Sequence, residues 1–271
     1  MINYKYGQKD YAEKIFKDGF QTKYINTELA LLALYFRDVL LYKPKKRTEE
    51  LYKFCEKHIP NYNKAKHFRT IDRALRYADN KKNIFIIIPE IKVYKKEIDY
   101  INSLDLDYNY KKVLFTFLVQ KKIENRVYLL RNGCESDSIY FKGGKSKYSN
   151  IKNCSKIPAN LKINEDIIYN LNEVGLISIK NQGLIELLFM NKCVSKGEIG
   201  LIITCNNDFD NTGWYFDFCN QQNNVILCNY CKQPFKQNSN NQKYCKNCCN
   251  QIANEQTKIR MRKLRNKNVT Q

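Results

Sequence analysis

The stretch Cys228–Cys249, CNYCKQPFKQNSNNQKYCKNCC, decides the fold of the C-terminal part of this chain. It contains five of the eleven cysteines of the 271 residues, and the other six are scattered singly. Two Cys-x2-Cys pairs stand out, Cys228 with Cys231 and Cys245 with Cys248. Two such pairs complete a tetrahedral four-thiolate shell around one ion. The spacing therefore predicts one structural zinc ion held by these four cysteines.

The residues between and after the two pairs predict a small module around that ion. The linker KQPFKQNSNNQKY suits a β-hairpin with Phe235 on one arm and Tyr244 on the other. Asn250–Lys267 has no Gly or Pro and predicts a helix. Cys249 is expected on the surface of this helix or in the small core. This order resembles the treble clef, and the pattern CxxC…F…YCxxC before a basic helix resembles zinc modules that end many phage and bacterial DNA-binding proteins.

Treble clefs also house HNH-type nucleases, which need a histidine to activate water. The two histidines of the chain, His58 and His67, lie far upstream of the cysteines. Four sulfur ligands also leave a zinc ion no open coordination position. We therefore expect a structural module, no catalytic residues and a non-enzymatic protein.

The net charge of +20 indicates a polyanionic partner, with nucleic acid first. Residues 228–271 carry ten basic side chains against the single acid Glu255. The best candidates for phosphate contacts lie on the predicted C-terminal helix. They are Lys258, Arg260, Arg262, Lys263 and Arg265.

A second basic surface is predicted between Lys43 and Lys82, where thirteen basic residues accompany five acids. Arg69, Arg73 and Arg76 are spaced to share one helix face. They are candidates for phosphate contacts, and a solvated helix face without a partner is the alternative.

Residues 108–190 follow the pattern of a winged helix-turn-helix, which they resemble in the order of helices and strands. The last helix is expected to bury a stripe that includes Leu171 and Val174. The predicted elements are a helix from Tyr110, strands around Val127–Leu130 and Ile139–Phe141, a short helix stopped by Pro158, a helix capped by Asn164 and ended by Gly175, and the strands Leu176–Lys180 and Leu184–Met190.

The chemistry of that last helix leaves its role open. A winged helix that reads DNA offers basic or amide side chains to base edges. Here the helix offers Asn170 and Asn172 but no basic residue, and the following wing supplies only Lys180. A segment used for protein contacts fits as well as one that reads bases.

The N-terminal third predicts three helices. The first, from about Glu28 to Tyr42, is apolar almost all round, which indicates a central core helix, and Pro44 is expected to stop it. Two amphipathic helices follow it. In the second of these, within Lys66–Lys81, the side chains of Phe68, Ile71, Leu75 and Ala78 are expected to point inward.

The sequence thus predicts a mostly helical α+β protein with a helical N-terminal region, a winged-helix-like middle domain and a C-terminal treble-clef zinc module. The strand-like runs of the connector before the module are expected to extend the wing sheet, and Trp214 indicates packing or a protein-binding surface. The predicted regions are a basic helical region at 1–97, the winged-helix-like domain at 98–192, a β-rich connector at 193–227 and the zinc module at 228–271.

The expected function is non-enzymatic binding of duplex DNA, in transcription control or replication, by a protein of phage or mobile-element origin. One alternative is a protein-binding inhibitor or adaptor that blocks a nucleic-acid-handling complex of the host, and another is an RNA-binding protein. No signal peptide or apolar span is recognised, which predicts a cytoplasmic protein without a membrane partner. No small-molecule substrate is evident.

Overall fold

The computed structural model describes residues 5–193, 196–205 and 209–269, and the side chains of all of these except residue 182 and residues 262–269. It confirms a mostly helical α+β fold with small antiparallel sheets. The described part contains no helix with the length and apolarity needed to cross a membrane.

The chain divides into two compact units, whereas the predicted division into four regions stays a prediction. The first unit contains the residues up to Ile91, residues 120–139 and Cys205. The second contains residues 92–119 and 140–204, together with the chain from Phe209 onward.

The first unit is a cluster of helices around α2. Leu29, Leu32 and Phe36 of this helix are fully buried, which confirms it as a core helix. It ends at Asp38 rather than Tyr42, and Pro44 begins the next helix instead of stopping this one, because its fixed φ suits a first helical position. The helices are α1 (Gln8–Asp18), α2 (Ile25–Asp38), α3 (Pro44–His58), α4 (Lys64–Asp79) and the C-terminal half of α6 (Tyr108–Asn132).

Helix α4 packs on α2 through Ile71, Ala74 and Ala78, which are buried at spacings of three and four residues. The predicted inward position of Phe68 is wrong, since this side chain is 54% exposed and lies outside the core cluster. Phe68 lies in the first turns of α4. A periodic pattern shows which side chains share a face, but not how far neighbouring helices extend along that face to bury them.

The second unit combines short helices with three small sheets. The strands pair as β1 with β5, as β2-β4-β3, and as β6 with β7. Its helices are the N-terminal half of α6, α5 (Lys95–Ser103), α7 (Lys145–Ser155), α8 (Tyr169–Glu173), α9 (Thr212–Cys219) and α10 (Lys246–Val269). Its strands are β1 (Glu90–Tyr94, of which the part from Lys92 belongs to this unit), β2 (Tyr140–Lys142), β3 (Ser178–Ile179), β4 (Leu184–Glu186), β5 (Ile199–Thr204), β6 (Val225–Leu227) and β7 (Pro234–Lys236).

The elements from α6 to β4 include helices and the β3–β4 hairpin, and the resemblance to a winged helix stays a prediction. Strand β2 joins the hairpin to give an antiparallel sheet in which Phe141 and Ile179 both pair with Ile185. The predicted strand at Val127–Leu130 is wrong, because these residues continue α6. No Gly or Pro interrupts that helix before Gly133, whose positive φ of 71° ends it.

The last helix of this region begins with a π-helical turn, Ile163–Ile168, that leads into α8. The predicted capping residue Asn164 lies inside the turn, and Lys162 occupies the cap position instead. Val174 is 56% exposed, contrary to the predicted stripe. Gly175 turns the chain with a φ of 69°, and Leu176 enters the core in place of Val174.

The connector contains strands β5 and β6, but its tryptophan segment forms α9 rather than a strand. The expectation that the connector extends the wing sheet is wrong, because β5 pairs with β1. Helix α9 lies against α7 so closely that a Cβ at Gly213 would stand 1.9 Å from the carbonyl oxygen of Ser155. Only glycine fits this contact.

A buried ion pair ties α9 to α6. The Lys112 Nζ lies 2.7 Å from Asp217 Oδ2, and both side chains are at most 3% exposed. The Tyr108 hydroxyl donates to the other carboxylate oxygen at 2.9 Å. Burial lowers the pKa of Lys112, and the contact with Asp217 opposes that shift. The pair anchors α9, the element on which the cysteine module packs.

Candidate metal centre and nucleic-acid interfaces

The four predicted cysteines converge on one point. Their sulfur atoms all lie within 4.8 Å of one another, and Cys231 Sγ is 3.8 Å from Cys245 Sγ. Four thiolates at about 2.3 Å from a tetrahedral zinc ion stand about 3.8 Å apart. Cys228 and Cys248 are buried, while Cys231 and Cys245 are partly buried. The cluster can therefore hold a single metal ion, and among the described residues no other such group of ligands is found.

Backbone N–H groups surround the Cys228 sulfur. Burial raises the pKa of this thiol, but hydrogen bonds from the backbone of Cys231, Cys245 and Tyr230 outweigh burial and lower it to about 6. The Cys245 N–H donates to Cys228 Sγ at 3.3 Å. Burial raises the pKa of Cys231 and of Cys248. Donors already aimed at a sulfur favour its thiolate form, which is the form that binds metal.

Local structure explains how the pairs meet. The first pair forms the turn between β6 and β7, and Cys228 N–H donates to the Gln233 carbonyl within that turn. Cys245 directly precedes α10, and Cys248 lies in its first turn, as predicted. The hairpin predicted inside the linker is wrong: only β7 lies there, and it pairs with β6 upstream of the first cysteine.

The module has a small apolar core of its own. Phe235 is 4% exposed and clusters with Cys228 and Cys248, whereas Tyr244 is exposed rather than packed. Trp214 of α9 packs against this cluster, a contact that sequence reasoning did not assign. The single tryptophan inside the apolar run GWYF was the available signal. Cys249 is exposed on α10, as one of the two predicted positions allowed.

Helix α10 leaves the metal cluster and loses contact with the rest of the unit. Every described side chain from Ala253 to Met261 is exposed, including the apolar Ile259 at 52%. Lys258 and Arg260 are exposed, and neither forms an ion pair within the described part. The other predicted contacts, Arg262, Lys263 and Arg265, have side chains outside the described residues.

The arginines of α4 form a separate exposed face in the first unit. Arg69, Arg73 and Arg76 are all exposed, as predicted. Arg76 pairs with Asp72 at 2.9 Å, while within the described residues neither Arg69 nor Arg73 forms an ion pair. This face can therefore supply at least two unpaired cations to a phosphate backbone.

Three polar side chains of α8 and the following wing already have partners within the fold. Asn170 Nδ2 donates to the Tyr110 hydroxyl at 2.9 Å and to a backbone carbonyl. Asn172 Oδ1 accepts the N–H of Ile179 at 3.0 Å. Lys180 of the wing pairs with Glu186 at 2.9 Å. These are the three side chains that sequence reasoning offered for base reading, and each already has a partner.

The same segment exposes apolar side chains beside acids. Tyr169, Val174 and Ile179 are between 47% and 57% exposed. Glu165 and Glu173 are exposed on the same short segment, although Glu165 pairs with Lys162. Such a surface suits contact with protein better than contact with phosphates.

Neither a protein-family model, nor a curated protein, nor a solved structure matches this chain. The geometry of these surfaces is therefore what indicates a function.

Proposed function

We propose that this chain is a non-enzymatic zinc protein that binds duplex DNA through the basic helix α10, in transcription control or replication. The observation that carries the proposal is a helix that starts on a four-cysteine cluster and whose described side chains from Ala253 to Met261 are all exposed, with Lys258 and Arg260 unpaired among the described residues. The resemblance of the module to those of phage and bacterial DNA-binding proteins supports the same role.

The metal orients the helix. Tertiary packing supplies most of the stability of helices in proteins, yet among the described side chains of α10 only Cys248 and the partly buried Ile252 are not exposed. A zinc ion bound to the two pairs fixes the start of the helix relative to the β6–β7 hairpin and α9. Four sulfur ligands give the ion a structural role and leave no site for water activation.

The positive charge of this region then determines the class of partner. Residues 228–271, which include the helix, carry ten basic residues and one acid, so a polyanion binds with release of counterions. Phosphate contacts determine affinity and position, but they do not distinguish sequences. With Asn170, Asn172 and Lys180 already bonded, the winged-helix-like segment is not the source of DNA affinity.

A binding titration tests this proposal. The purified protein is titrated with random duplex DNA at two salt concentrations, alone and in competition with structured RNA. A variant with alanine at positions 258, 260, 262, 263 and 265 of α10 is measured in parallel. We expect tight, salt-sensitive binding to DNA that the variant loses, because its phosphate contacts are gone.

A matched variant controls for the loss of five charges. It replaces five exposed lysines outside both predicted basic surfaces, which are Lys14, Lys17, Lys96, Lys142 and Lys196. This control should bind nearly as wild type does. Absence of duplex binding at low salt contradicts the proposal, and tighter binding of RNA than of duplex DNA replaces it with the RNA-binding alternative.

The exposed apolar and acidic surface of α8 favours a second candidate, a protein-binding inhibitor or adaptor. There the winged-helix-like segment contacts a protein of a nucleic-acid-handling complex. The test is a pull-down from nuclease-treated bacterial lysate with wild type and with a Tyr169→Ser/Val174→Ser/Ile179→Ser variant. A nucleic-acid-handling protein captured by wild type and lost in the variant supports this role, and equal capture by both contradicts it.

A further inference from the structure

The first unit contains a cavity of about 620 Å³ that none of the predicted surfaces uses. Its wall is formed by α1, the start of α2, the end of α4 with the loop after it, and Arg131 near the end of α6. This volume lies within the range of about 300–1,000 Å³ that small-molecule sites occupy. The lining residues come from four separate parts of the chain, so no local sequence pattern predicts the cavity.

The charged residues of the cavity wall are all cations. They are Lys5, Lys82 and Arg131, and no Asp or Glu lines the cavity. Lys82 and Arg131 are exposed, and within the described residues neither has an ion-pair partner. The neighbouring acid Glu28 is 2% exposed, and its carboxylate accepts hydrogen bonds from Tyr11 and Gln21. The cavity therefore favours an anion, since no opposing charge compensates the three cations.

The rest of the wall consists of apolar and uncharged polar residues. The apolar part can cover a flat ring, and its members are Ala30, Leu31, Leu34, Ile84 and Ile86. Asn26, Thr27 and Tyr77 also line the cavity, and within the described residues the amide and the two hydroxyls form no hydrogen bond. An amide offers donors and an acceptor, as recognition of a heterocycle edge requires.

We infer that this cavity binds a nucleoside monophosphate, either free or as one unstacked nucleotide of a single strand. The cations Lys82 and Arg131 hold the phosphate, the Leu31 and Ile84 surface covers the base, and Asn26 bonds the base edge. An anion-only site does not need the apolar wall, and an apolar ligand makes no use of the three cations. No residue of α10 lines the cavity, and the inference goes beyond the proposed function.

Fluorescence titration with N-methylanthraniloyl-AMP tests the inference on the full-length protein. We expect saturable binding that AMP displaces, and that adenosine or inorganic phosphate displaces at least tenfold less well. Arg131→Glu and Lys82→Glu should each weaken binding about tenfold or more, because a charge-assisted contact becomes repulsive. Lys14→Glu, an exposed residue of α1 that does not line the cavity, makes the same charge change and should bind as wild type does.

A single-stranded oligonucleotide competitor identifies the source of the nucleotide. Displacement by AMP but not by the oligonucleotide assigns a free nucleotide, and tighter displacement by the oligonucleotide assigns a strand. Binding that does not saturate, equal competition by phosphate and AMP, or unchanged binding in both charge reversals overturns the inference. The five-alanine variant of α10 should bind the probe normally, so this site and the proposed DNA-binding function can fail independently.

Discussion

Two helices of the second unit were candidates for contact with nucleic acid, and they differ in whether their polar side chains already have partners within the fold. On α8 and its wing, Asn170, Asn172 and Lys180 each have a hydrogen-bond or ion-pair partner within the fold. On α10, Lys258 and Arg260 have none among the described residues. A polar side chain can contact a ligand at little cost only when it has no internal bond to give up.

The two helices also differ in what holds them. The segment before α8 buries Ile163, Ile167 and Ile168 in a core. Residues 253–261 of α10 are exposed, and we propose that the cysteine cluster sets the direction of this helix. Substitutions can therefore change one helix while the other stays as it is.

Loss of a metal ligand should have the largest effect. Cys248→Ser removes one of four thiolates, and structural zinc in small modules contributes about 10–16 kcal/mol of binding free energy. We expect the variant to lose its zinc, measured by elemental analysis, and to lose duplex binding with it.

Cys249→Ser is the matched control, because Cys249 is exposed and is not in the cluster. It should keep one zinc ion per chain. Full zinc content in Cys248→Ser contradicts the assignment of the ligand. Duplex binding that survives removal of zinc by a chelator contradicts the dependence of α10 on the metal.

Breaking the buried ion pair should have the next largest effect, on the core rather than on α10. Asp217→Asn leaves the Lys112 charge buried without its counter-ion, which costs about 3–5 kcal/mol of unfolding free energy. Urea unfolding followed by the fluorescence of Trp214, the single tryptophan, measures this loss. Lys112→Met/Asp217→Leu should recover most of the stability, and a fully stable Asp217→Asn protein contradicts the importance of the pair.

A single-charge comparison separates the two helices directly. Arg260→Ala should weaken duplex binding several-fold and reduce the slope of log K against log salt by about 0.9, as expected for one lost phosphate contact. Lys180→Ala removes one charge from the wing and should leave both quantities unchanged. A larger effect of Lys180→Ala than of Arg260→Ala in the same salt titration assigns DNA contact to the wing.

The smallest effect is expected from Asn172→Ala. The variant removes the acceptor of the Ile179 N–H, which costs about 0.5–1.5 kcal/mol of unfolding free energy. Duplex affinity per folded molecule should not change, because the amide is structural. A loss of affinity larger than the loss of stability indicates that Asn172 contacts DNA.

Local pattern predicted much of this protein. The spacing of the cysteines located the metal cluster, and uninterrupted helix formers located α2, α4 and α10. Predictions from local pattern were wrong where the surroundings of a residue are formed by distant parts of the chain. Examples are Phe68, Val174 and the strand-like segment that forms α9. Hydrophobicity shows that a side chain can be buried, but packing decides which side chains are.

The sequence by itself determined the four cysteines that cluster, the mostly helical class and the basic character of α10, because each depends on spacing or composition within one continuous stretch. Only the tertiary structure decided that the asparagines near α8 are already bonded, that Trp214 supports the cysteine cluster and that three cations from distant segments line one cavity. Those properties depend on distances between residues far apart in the chain, which folding sets and local pattern does not record.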